Sequence, residues 1–186
     1  MVYESYPWKQ DLLRRKRLIL NYNTAEHFAK NEDSTYTVLE KAVFYSAFII
    51  RKLIDCRGKR SDDADQYALH IEKFIPLKAV DELHRWPEED THDWEHPKNL
   101  TVNGKDIYNW LIHSYMFFFS FNEAGTVNGF FVTSDYDRNK TLYCISITDW
   151  LEYMTFIAND YVVAAESHYD LKARDYIYTK KERGTL

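Results

Sequence analysis

Apolar positions along the chain change period several times, and each change marks a predicted element. From Pro7 onward Trp8, Leu12 and Ile19, with Leu18 or Leu20, recur at helical spacing, which predicts a helix over 7–22. Pro7 suits an early helix position, where its missing N–H would have had no partner. Asn23 and Thr24 break the pattern before a short piece, 25–31. Residues 42–50 are apolar on nearly every side, and a helix that is hydrophobic all round is a buried one. Thr37 and Glu40 fit a capping box, so a central helix is expected over 37–56. Residues 57–65 read as a loop in which Ser61 or Asp62 can cap the next element. At 67–74 two periods compete. Tyr67, His70, Ile71 and Phe74 fit a helix, whereas Tyr67, Leu69 and Ile71 alternate as a strand does; the expectation is a helix ended by Pro76.

Regular patterning fades over 79–98, which holds Pro87 and Pro97 and offers Trp86 and Trp94 as anchors onto the body. Leu100 to Val102 reads as a short strand followed by a turn at Asn103-Gly104. Ile107, Leu111 and Ile112 restore helical spacing over 105–114. Alternation then predicts strands at about 115–121, where a helix continuing to about 120 is the alternative, and at 128–133 and 140–147, these two joined by the turn residues of SDYDRN. Thr148 can cap a final amphipathic helix carrying Leu151, Met154, Ile157, Ala158, Tyr161 and Val162. The charged, Tyr-rich tail from His168 reads as a frayed helix or a late edge strand. The expected fold class is α+β: a mostly helical single domain, 1–186, with a small two- or three-stranded antiparallel sheet.

Composition adds little to this picture except in its aromatics, which make up 17% of the chain, with 15 Tyr and 11 Phe. They imply a bulky core or a Tyr-rich surface suited to a partner. Of the net charge of −5, the stretch 81–97 supplies seven acidic residues against Arg85. The remainder is close to neutral, so no global basic field points to nucleic acid. Four consecutive basic residues at 14–17 would spread around a helix instead of forming one patch. Cys56 and Cys144 do not make a disulfide framework, and a reduced, cytoplasmic setting is the simplest reading. The N-terminus lacks an apolar signal core, and the run 42–50 is half the length needed to span a bilayer, so no membrane partner is expected.

Candidate chemistry is sparse. His92 and His96, with His84 upstream, lie among carboxylates, but the order is not HExxH and no Cys is near; a solvated acidic loop is the preferred reading over a metal site. Asp135, Asp137 and Asn139 open like a calcium loop, yet the sixth and twelfth positions are Lys140 and Ser146, so a hairpin turn is expected. There is no Gly-rich phosphate loop, and no nucleophile can be named, so no cofactor is implied. Asn109 and His113 remain as catalytic candidates. Four apart, they share one helix face, where an imidazole can act as a general base or phosphate ligand, or form a satisfied core pair.

This polar residue, three variable residues and a histidine resemble the HEPN superfamily, small helical bundles that include RNA-cleaving toxins. The resemblance implies four of the helices and His113 acting on an RNA backbone, with Asn109 and Tyr108 or Tyr115 in support. The arginine of the family signature has no counterpart at Asp106, Ile107 or Tyr108, so Arg51 or Arg57 would have to take its place. Two functional readings result. The first is a small regulatory or interaction protein without catalysis, self-associating or binding a protein partner through aromatic surface. The second is a diverged HEPN-like ribonuclease or nucleotide-binding protein. A third, slighter one is a metal-dependent activity at His84, His92 and His96.

Overall fold

A computed structural model describes residues 2–56, 58–83 and 86–184. In chain order the elements are α1 (Ser5–Tyr22), α2 (Ala25–Lys30), α3 (Glu32–Ile54), α4 (Asp62–Gln66), β1 (Ala68–Phe74), β2 (Lys98–Asn103), α5 (Gly104–Ile112), β3 (Ser114–Phe121), β4 (Val127–Ser134), β5 (Leu142–Ser146), α6 (Ile147–Ala158), β6 (Val162–Asp170) and β7 (Asp175–Arg183). Strands β1 to β5 form one antiparallel sheet in the order β2-β1-β5-β4-β3, and β6 and β7 form a separate two-stranded ribbon.

The fold is therefore not mostly helical with a small sheet: among the described residues 41% is helix and 30% is strand. The three expected strands are present as β3, β4 and β5, but β1 and β2 extend their sheet to five. Residues 67–74 account for most of the difference. Leu69 and Ile71 are buried under the helices while His70 and Glu72 are exposed on the opposite face, which is the period of a strand. A helix would have put His70 beside Ile71. Asn103 and Gly104, expected as a turn after a strand, instead begin α5: the Asn103 side chain accepts from the Lys105 N–H at 2.8 Å, and Asp106 completes a capping box.

Two other helix starts move. Asn31 caps α3 by accepting the Ser34 N–H at 2.9 Å, and Glu32 and Asp33 suit the positive end of the helix dipole, so Thr37 lies inside the helix. Ser146, not Thr148, caps α6, accepting the Thr148 and Asp149 N–H groups.

Helices α3, α5 and α6 cover one face of the sheet, and α1 packs on α3 and α6. Leu39, Val43, Ala47 and Ile50 of α3 meet Leu12 and Ile19 of α1, Ile107 and Leu111 of α5, and Trp150 and Met154 of α6 in one apolar cluster. Within it the Trp150 indole N–H donates to Ser46 Oγ at 3.0 Å, so its one polar atom is satisfied. Because β2 and β3 lie on opposite edges, α5 crosses the helical face between them. Its nine residues reach about 13 Å, most of the way across five strands. On the way Trp110 stacks flat on Tyr143 of β5, with centroids 3.6 Å apart. No helix among the described residues is long and apolar enough to cross a membrane.

The other face is half covered. The long connection between β1 and β2 folds back over it through a bridge between Pro76 and His92. Trp94 then packs on Phe74 and Phe131, and Phe131 stacks on Phe118. Trp94 thus serves as the anchor expected of it. The end of this face nearer the start of β1 is open.

Candidate functional site

Asn109 and His113 occupy the last turn of α5 and its C-terminal cap. They differ in exposure: Asn109 is half-buried and His113 is exposed. Among the described residues no hydrogen bond joins their side chains; the bond between them is the helical one from the His113 N–H to the Asn109 carbonyl, 3.0 Å. The partner that the fold does bring to His113 is Arg51, from the last turn of α3. Its Nη1 lies 3.5 Å from His113 Nε2. Nearby, the Arg138 guanidinium sits 4.6 Å above the Tyr115 ring and 3.1 Å from Asp135. Tyr108 is buried, and burial pushes its phenol up to about 12, so it is a neutral donor at ordinary pH. Arg57 lies outside the described residues.

The histidines of the acidic loop are not gathered around one point. His92 is buried against Trp94, with Nδ1 3.1 Å from Thr91 Oγ1 and Nε2 without a partner. His96 is exposed and bonds Asp93 at 2.8 Å, which raises its pKa. His84 lies outside the described residues. Among those described, no group of three or more His, Cys, Asp or Glu side chains lies close enough to hold a metal ion. Residues 135–140 form the expected turn, closed by Ser134 Oγ donating to Asp137 at 3.0 Å.

The open half of the sheet forms a groove of about 580 Å³. The strand register aligns Thr101 with His70 and Gly129 with both Ser146 and Ser120, giving a floor of small and hydroxyl-bearing side chains. A Cβ on Gly129 would lie 2.8 Å from the Ile145 carbonyl oxygen, so glycine is required there and deepens the floor. Glu72 faces Cys144 across the β1–β5 pair. Burial, with Glu72 adding to it, pushes the Cys144 thiol up to about 12; it is not a thiolate nucleophile. His70 Nδ1 is engaged by Thr101 at 3.0 Å. A polar open face is what an antiparallel sheet with one solvated side carries by default. A scan against family models finds no match, and comparisons with curated proteins and with solved structures find none either.

The feature that stands furthest from an ordinary solvated surface is the β6–β7 arm. Its root is bonded to the body. Asp160, 2% exposed, accepts the Ser61 N–H at 2.9 Å and the Ser61 hydroxyl at 2.6 Å. The Asp160 carbonyl accepts Lys9 Nζ, and Arg183 Nε lies 3.8 Å from its carboxylate. Lys181 is buried between Asp65 at 2.8 Å and Asp62 at 3.3 Å. Its backbone N–H also bonds Asp62, holding that carboxyl below the usual carboxylate range. Beyond this root both faces of the ribbon meet solvent. Val163 is 69% exposed, Tyr169 51%, Leu171 83% and Tyr176 57%. The sequence leaves this segment between a frayed helix and an edge strand. The aromatic and β-branched run Tyr176 to Thr179 is its signal, diluted by the charges around it.

Proposed function

We propose that this chain is a small regulatory or interaction protein without catalysis, which self-associates through the β6–β7 arm. The observation that carries this reading is the arm's exposed apolar and aromatic surface at the end of a well-bonded root. A two-stranded ribbon is marginal in water by itself. Each large apolar side chain stabilises by roughly 1.5–3 kcal/mol when it is buried, so a surface that covers Tyr169, Leu171 and Tyr176 recovers several such terms. The test is sedimentation velocity over a range of concentration, comparing the chain with a triple variant, Tyr169→Ser, Leu171→Ser and Tyr176→Ser. Concentration-dependent association that the triple variant loses supports the reading. A monodisperse monomer at every concentration counts against it.

A second reading has one specific observation in its favour. Arg51 stands beside His113, supplying the cation that the HEPN-like signature lacks in sequence. An arginine and an imidazole in contact form a recognition unit for a phosphate or an RNA backbone. The reading is a diverged ribonuclease or nucleotide-binding protein with Arg51 and His113 on the ligand. Titration of a short RNA and of a nucleotide, followed through the His113 ring resonances, tests it. Unchanged resonances, or binding and cleavage that survive His113→Ala, would remove it.

A further inference from the structure

We propose that the arm's partner is a second copy of this chain, added antiparallel along the outer edge of β6 about a two-fold axis through Ser167. The inference rests on the self-association reading and gives it an edge, a register and a symmetry. The two edges of the ribbon differ. β7 turns its outer side to the body: its Lys181 N–H bonds Asp62, and Tyr178 lies against Gly58. On β6, among the described residues, no backbone group of 164–169 bonds anything outside the hairpin. Natural edge strands discourage pairing with lysine, proline or bulges. β7 carries Lys180, Lys181 and Arg183, whereas β6 has no Lys, Arg or Pro in its nine residues.

The bulges define the usable length. The register steps from Val162–Arg183 to Ala164–Glu182, leaving Val163 extra on β6. It steps again from Glu166–Lys180 to Ser167–Tyr178, and there the extra residue, Thr179, belongs to β7. β6 is therefore regular from Ala164 to Asp170, with Ser167 at its midpoint.

Regular length, symmetry and charge together select the axis, since an axis at Ala165 or Tyr169 would pair only three residues of the regular stretch. A two-fold normal to the ribbon keeps every side chain on its own face, so it passes through a residue, which then opposes its own copy. An axis at Glu166 sets carboxylate against carboxylate. An axis at His168 sets Glu166 against Asp170 twice. Like charges directly opposite one another destabilise a sheet. At Ser167 the pairs are Ala164 with Asp170, Ala165 with Tyr169, and Glu166 with His168, each made twice. No like charges meet, the small Ala165 makes room for the Tyr169 ring, and the carboxylate of Glu166 faces the imidazole of His168.

Cysteine cross-linking of the full chain under diamide tests the geometry. Opposed Cα atoms in an antiparallel pair are about 4.5–5.5 Å apart, inside the range a disulfide bridges. Ser167→Cys thus yields a covalent dimer. Ala164→Cys does not, because its two copies lie six residues apart along the strands, roughly 20 Å. The wild-type chain, with Cys56 buried and Cys144 pushed up to about 12, is the background control. Ser167→Lys sets two ammonium groups against each other on the axis and abolishes association, whereas Ser167→Thr retains it. If the wild type associates through the arm but Ser167→Cys gives no dimer, Ala164→Cys cross-links equally, or Ser167→Lys associates unchanged, the proposed edge and register are overturned while self-association stands. A wild type that is monomeric throughout overturns both.

Discussion

Replacing Asp160 by alanine removes the group on which the root of the arm converges. Its carboxylate accepts two hydrogen bonds from Ser61, and Ser61 Oγ in turn accepts the Ala64 N–H that starts α4. Hydrogen bonds to a buried charge are worth about 1.5–3 kcal/mol each. Removing one partner of a buried charge set costs about 3–5 kcal/mol, because the groups left behind stay desolvated. Here those groups include Lys9, whose pKa burial lowers while Asp160 opposes that lowering. The expected loss for Asp160→Ala is therefore about 3–5 kcal/mol, a large share of the roughly 5–15 kcal/mol that stabilises a typical domain. At about 2–4 °C per kcal/mol for a chain of this size, the melting temperature should fall by roughly 6–20 °C. Urea unfolding followed by far-UV circular dichroism measures it. Arg183→Met, which removes a partly exposed guanidinium 3.8 Å away, should cost no more than about 1 kcal/mol. A loss below about 1 kcal/mol for Asp160→Ala would refute the claim that this carboxylate holds the root.

Other outcomes rest on single contacts. Ser46→Ala leaves the Trp150 indole N–H buried without an acceptor and should cost about 1–3 kcal/mol by urea unfolding. Gly104→Ala would drive a methyl group into the Tyr153 ring, so it should destabilise the chain and perturb the near-ultraviolet circular dichroism spectrum. Burial lowers the His92 pKa from its ordinary value of 6.5, so the unfolded chain takes up that proton first. Its contribution to stability is complete above the ordinary value and is lost as pH falls through it toward the lowered one, by at most about 1.4 kcal/mol per pH unit. Unfolding free energies at pH 7.5 and 5.5 should therefore fall less in His92→Phe than in the wild type.

How legible each part of the fold is in the sequence depends on how local its signal is. α1, α3, β3, β4, β5 and α6 announce themselves because Leu12 and Ile19, the 42–50 run, and Leu151, Met154 and Ile157 bury along one period, helical or alternating. At 67–74 both periods fit, and only pairing with β2 on one side and β5 on the other decides for the strand, a tertiary choice no local window contains. Asn31 escapes notice as a cap because the polar residues after it hide the helix start. At the site, Asn109 and His113 do share one helical segment, but the contact of His113 with Arg51 spans 62 residues and depends on α3 packing beside α5. The arm is the least readable part. Its strands bury almost nothing within the chain, so they lack the apolar alternation by which a strand is recognised.

That same lack of burial makes the arm the place to test the account. Amide hydrogen exchange of the wild-type chain, read at low and at high protein concentration, reports directly on whether this surface is covered. Protection of residues 162–178 that rises with concentration, while the core strands β1 to β5 keep theirs unchanged, is the predicted result. Exchange in the arm that is equally fast at both concentrations, or new protection confined to other surfaces, would contradict it.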